Sequence, residues 1–86
     1  MKLVTLTSGF EAELDEAALD DMELFDAIAD LEGGNKLALS AVASKLLGEQ
    51  QAALYDHFRD ERGRVPIGSV MGAIHEIVEQ LGGKNS

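Results

Sequence analysis

The sequence predicts a mainly α (α+β) domain, an N-terminal β-hairpin followed by a compact bundle of about four short helices. Three observations lead there. The first residues alternate around a short turn, apolar residues then recur at helical spacing in successive segments, and glycines punctuate those segments. An 86-residue chain makes a single domain with a small core. The hairpin is expected at 1–14, the bundle at 20–82 and a frayed tail at 83–86.

Lys2 to Thr7 is rich in β-branched and apolar residues, and Phe10 to Leu14 alternates with period two. Thr7-Ser8-Gly9 between them suits a three-residue loop, with Gly9 free to take a positive φ. Phe10, Ala12 and Leu14 then face inward. Two strands are marginal alone, so the hairpin lies on the helices or pairs with a neighbouring chain. Its edges carry no proline, which leaves self-association open.

Asp20 or Asp21 is a candidate cap for the first helix. Leu24, Ala27, Ile28 and Leu31 fall at i, i+3, i+4 and i+7, and Met22, Phe25 and Ala29 are expected to widen that apolar stripe. Gly33-Gly34 ends it. Asn35 caps a second helix carrying Leu39, Val42, Ala43 and Leu46, which Gly48 closes or kinks. A third helix is expected over 49–62 with Leu54, Tyr55 and Phe58 on its narrow face and Gly63 as its stop. Pro66 fits the first turn of a fourth helix. Val70, Ala73, Ile74, Ile77, Val78 and Leu81 form its stripe, and Gly82-Gly83 ends it.

The net charge is −9, and all of it lies in the first 35 residues. Ten acids and one base precede Lys36, whereas six acids and six bases follow from there. A chain with no basic footprint is not expected to bind nucleic acid or an anionic membrane surface. The acidic segment is either a solvated face that maintains solubility or a surface for a basic partner. The absence of cysteine excludes disulfides, thiolate metal sites and a cysteine nucleophile. No apolar run reaches the roughly 18 residues of a membrane span, and MKLVTLTSGF lacks a signal-peptide core, so a cytoplasmic location is expected.

Catalytic, metal and cofactor sites are not expected. His57 and His75 each have acids nearby but no serine in a nucleophile elbow, and read as surface histidines. Each has a Glu four residues on, too few ligands for zinc. The segment after Phe58 lacks three of the oxygen ligands of a calcium loop. Ser69 in Gly68-Ser69-Val70-Met71 lacks the aspartate and the position of a carrier-protein serine. The Gly68/Gly72 spacing is read as chance rather than as a close helix contact.

Taken together, the hairpin turning at Thr7-Ser8-Gly9, the acidic helix DDMELFDAIADLE and the stretch LLGEQQAALYDHFRDERGRVPIGSVMGAIHEIVEQL at 46–81 resemble the small tail assembly chaperones of long-tailed phages and prophages. The resemblance covers nearly the whole chain through the order of its parts. It implies a non-catalytic factor that coats the tape measure protein in the bacterial cytoplasm, brings tail tube subunits to it, and is not retained in the mature virion. It also implies a short form that coexists with a frameshifted longer one. Apolar grooves would then hold amphipathic client segments. Partner-binding candidates are Phe10, Tyr55 and Phe58, for each of which core packing is the alternative, and the acids Glu23, Asp26 and Asp30. The competing readings are an acidic interaction module, such as a DNA mimic or inhibitor, a small structural virion protein, and, last, an enzyme.

Overall fold

The computed structural model describes residues 1–82, so the expected tail at 83–86 lies outside the described residues. Strands β1 (Lys2–Thr5) and β2 (Glu11–Leu14) pair antiparallel, with Val4 opposite Ala12 and Lys2 opposite Leu14. The turn between them is tight because Leu6 N–H donates to Phe10 C=O and Gly9 N–H to Leu6 C=O, both at 2.9 Å. Gly9 sits at φ 96°, which a side chain would oppose. Val4, Leu6, Phe10, Ala12 and Leu14 all point into the core.

The chain then makes a short 3-10 turn at Glu16–Leu19 that the periodicity does not foretell. Asp15 caps it, its Oδ1 accepting from Ala17 N–H at 2.9 Å. Helix α1 (Met22–Glu32) follows, capped by Asp21. After Gly33 and Gly34, Asn35 caps a second 3-10 turn at Lys36–Ala38, which runs directly into α2 (Leu39–Leu47). Helix α3 (Gln50–Phe58) and helix α4 (Ile67–Leu81) complete the bundle. The central element is α2, which contacts α1, α3, α4 and β2.

The core is aliphatic around a single buried ring. Leu14, Leu24, Leu54, Ile74 and Ile77 are its largest wholly buried side chains, Phe10 joins them, and no polar residue among those described is buried. Removing each large side chain from water contributes about 1.5–3 kcal/mol. This burial fixes the hairpin to the helices, since two strands alone would not persist.

Four details differ from the sequence expectation. Met22, Phe25 and Ala29 do not widen the buried stripe of α1; they lie on its outer face, with Met22 66% and Phe25 60% exposed. Leu24 and Leu31 are buried, with Ala27 and Ile28 half-buried beside them. Helix α3 stops at Phe58, not at 62, because Arg59 is extended and Asp60 organises a turn of its own. Asp60 Oδ1 accepts from the N–H groups of Arg62 and Arg64 at 2.9 and 3.0 Å, an Asp-anchored turn that competes with helix. Gly63, at φ 84°, belongs to that turn. Pro66 is the extended residue before α4, one position earlier than expected.

The fourth difference concerns the hairpin edges. Side chains occupy part of both. On β2, Gln50 bonds the backbone of Glu13 through both its amide atoms, at 2.8 and 2.9 Å. On β1, Gln80 Nε2 donates to Thr5 C=O at 3.2 Å, and in the turn beyond it Glu76 accepts from Thr7 N–H and Oγ1 at 2.9 and 2.8 Å. Such cover opposes the addition of another strand at those positions.

Candidate functional site

An apolar groove opens where the start of α2, the middle of α3 and the approach to α4 meet. Buried Leu39 and Val70 form its floor, half-buried Tyr55 and Val65 its walls, and Leu37 and Ile67 its rim. Leu37 is 89% and Ile67 62% exposed, so the rim offers large apolar side chains to solvent. Local chain geometry puts them there. Leu37 is carried by the 3-10 turn capped by Asn35, whose Oδ1 accepts from Leu37 N–H at 3.1 Å, and Ile67 is the first residue of α4. The hollow is about 240 Å³, below the roughly 300–1,000 Å³ of pockets that enclose small molecules. It suits a few side chains of another protein. Among the described residues Lys36 is the one charged residue lining it.

The six candidates from the sequence separate into three places. Glu23, Asp26 and Asp30 share the exposed side of α1. Glu23 meets Lys45 Nζ at 3.3 Å, and Asp21 lies 3.7 Å from the same ammonium; among the described residues Asp26 and Asp30 have no ion-pair partner. Tyr55 lines the groove, with its hydroxyl accepting from Gln51 Nε2 at 2.8 Å. Phe10 and Phe58 stand on either side of His57, at ring-centroid distances of 5.4 and 5.0 Å. Phe10 is only 9% exposed and belongs to the core, and Phe58 packs against that core. Both therefore take part in core packing, Phe10 buried and Phe58 half-buried.

His57 is exposed, yet its Nε2 lies 3.3 Å from Ser8 C=O and ties α3 to the hairpin loop. The Ser8 hydroxyl instead accepts from Phe10 N–H at 3.4 Å. His75 sits 3.5 Å from Glu32 across α4 and α1. Among the described residues no three His, Asp or Glu side chains converge as metal ligands. A wider cleft of about 630 Å³ between the hairpin, the first 3-10 turn and α2 is lined by Glu13, Asp15, Asp20 and Asp21 facing Lys45. Among the described residues no buried polar group of the kind that orients a ligand accompanies it.

The cap of α1 shows in the acidity of its carboxyl. Asp21 is held below the usual carboxylate range, first by the N–H of Leu24, with desolvation opposing and Glu23 N–H and Lys45 adding to the effect. This is the signature of a helix cap, where an anion meets unpaired N–H groups.

Periodicity does not find Leu37 and Ile67, and it assigns Met22 and Phe25 to the buried stripe of α1, whereas all four are large exposed apolar residues near these surfaces. Leu37 precedes its helix, and Met22 and Phe25 fall on the edge of a stripe that burial cuts short. Among the described residues no helix is long and apolar enough to cross a membrane. Comparison with protein-family models, curated proteins and solved structures gives no match to this chain.

Proposed function

We propose that this chain is a phage tail assembly chaperone, a non-catalytic protein that binds the tape measure protein in the bacterial cytoplasm and brings tail tube subunits to it. The observation that supports this reading is the apolar groove with Leu37 and Ile67 on its rim. Long helical clients expose amphipathic segments before assembly, and a shallow apolar groove accepts the i, i+3, i+4 side chains of such a segment. A single groove of this size holds weakly. Many copies along one client would supply the retention, through effective concentration. The net charge of −9 keeps a coated client dispersed.

A DNA-mimic reading is less well supported. Mimicry asks for acids spread along the whole surface, whereas the chain from Lys36 onward is neutral overall, with six acids and six bases.

The test begins with the genes that follow this one. A very long helical open reading frame there is expressed with and without the chain, and its soluble yield is measured. The expected result is a soluble complex of several copies per client, lost in a Leu37→Ser, Ile67→Ser double variant. Equal client solubility without the chain would remove the reading.

A further inference from the structure

The outer face of α1 is chemically distinct from the groove. Met22, Phe25 and Ala29 stand at i, i+3 and i+7 on its exposed side, the spacing at which one helix seats its apolar side chains against another. At about 100° per residue, Asp26, Asp30 and Glu23 fall along one flank of this seam and Glu32 along the other. A hollow of about 290 Å³ opens at its N-terminal end, floored by Leu19 and walled by Met22 and Phe25, with Asp20 and Asp21 at its mouth. An apolar seam at two-helix spacing thus lies open, framed by carboxylates.

We propose that this face docks a cationic amphipathic helix of another protein, its apolar residues seated on Met22, Phe25 and Ala29 and its Lys or Arg side chains meeting Asp26 and Asp30. Charge complementarity selects this occupant. A second copy of the chain would bring its own ten N-terminal acids against the same carboxylates, and like charges in an interface cost affinity. An anionic or neutral helix would leave Asp26 and Asp30 partly desolvated without partners. The seam spans two turns, about 10 Å, so the contact is small and reversible. The inference does not rest on the chaperone reading, and the groove plays no part in it.

The experiment titrates the full chain, isotope-labelled for NMR, with three synthetic peptides. One carries a leucine seam flanked by lysines, one the same seam flanked by glutamates, and one the same lysines with serine in place of leucine. The lysine-leucine peptide is expected to shift the amide signals of residues 22–30 and to bind at least about tenfold more tightly than either control. Its binding should weaken steeply between about 50 and 500 mM salt. Met22→Ser with Phe25→Ser, or Asp26→Lys with Asp30→Lys, should each weaken it about tenfold or more, while Leu37→Ser with Ile67→Ser leaves it unchanged. All four α1 positions are exposed, so helicity by circular dichroism should hold. The proposal is overturned by absence of binding, by equal binding of the lysine-serine or glutamate peptide, by shifts centred on the groove, or by concentration-dependent self-association that Phe25→Ser abolishes.

Discussion

Gln50 and Glu13 form a reciprocal pair across 37 positions of sequence: Glu13 N–H donates to Gln50 Oε1 at 2.9 Å, and Gln50 Nε2 donates back to Glu13 C=O at 2.8 Å. One side chain at the start of α3 thus behaves towards β2 as a neighbouring strand would. Gln50→Ala removes both bonds and uncovers that edge. The expected cost is about 0.5–1.5 kcal/mol, read as a fall of the thermal midpoint by several degrees. An unchanged midpoint would mean that water replaces the amide without loss.

Leu54 is the one buried residue of α3. Tyr55 and Phe58 are only half-buried beside it, so Leu54 is the side chain of this short helix set deepest in the bundle. Leu54→Ala should cost about 2–5 kcal/mol, a large share of the 5–15 kcal/mol that holds a small domain together. Urea titration should show a midpoint far below that of Tyr55→Phe, which removes only the part-buried hydroxyl contact with Gln51.

Gly48 joins α2 to α3 at φ 54°, ψ −123°, a combination that residues with a Cβ rarely adopt. Nothing lies within 4 Å of where that Cβ would stand. Gly48→Ala is therefore expected to cost about 1–3 kcal/mol through the backbone alone. Gly72→Ala is the opposite case. It lies inside α4 with open space around it, and should stabilise by about 0.5–1 kcal/mol. Paired melting curves moving in opposite directions would separate the two roles of glycine.

Asp21 gives the cap of α1 a pH-dependent contribution to stability. Its carboxyl is depressed in the folded state, so the stability it contributes is present above the unfolded carboxylate value and is lost as pH falls through the lower folded one, a window below about pH 4. Asp21→Asn keeps an oxygen to accept from Glu23 and Leu24 N–H but cannot titrate. Melting the two proteins from pH 6 downward should show a steeper loss for the native chain. Parallel losses would assign the acid sensitivity elsewhere.

The hairpin turn, the order of the helices and a cap at Asp20 or Asp21 are legible because each depends on neighbours in sequence; the structure selects Asp21, and has Asn35 cap the 3-10 turn that leads into α2 rather than α2 itself. What could not be read from period alone was which part of a wide stripe is covered. In α1 the apolar positions run from Leu24 round to Met22, and only packing against α2 and the first 3-10 turn decides where burial ends. The early end of α3 did have a local signal. Asp60 followed three positions later by Gly63 is a turn pattern, but it sat in a segment otherwise compatible with helix. Leu37 and Ile67 became site residues only through tertiary proximity, since 30 positions separate the two sides of the groove. Tyr55, one of the sequence candidates, lines that groove, and its place there follows from the same packing.

That wall carries a spectroscopic consequence. The chain has one tyrosine and no tryptophan, so its phenolic absorbance and emission arise from a single ring facing the groove. A guest that enters between Leu37 and Ile67 must dehydrate that ring and alter its bond with Gln51. The unlabelled protein is therefore its own optical probe: its emission would register groove occupancy and remain silent to a helix lying along Met22 and Phe25.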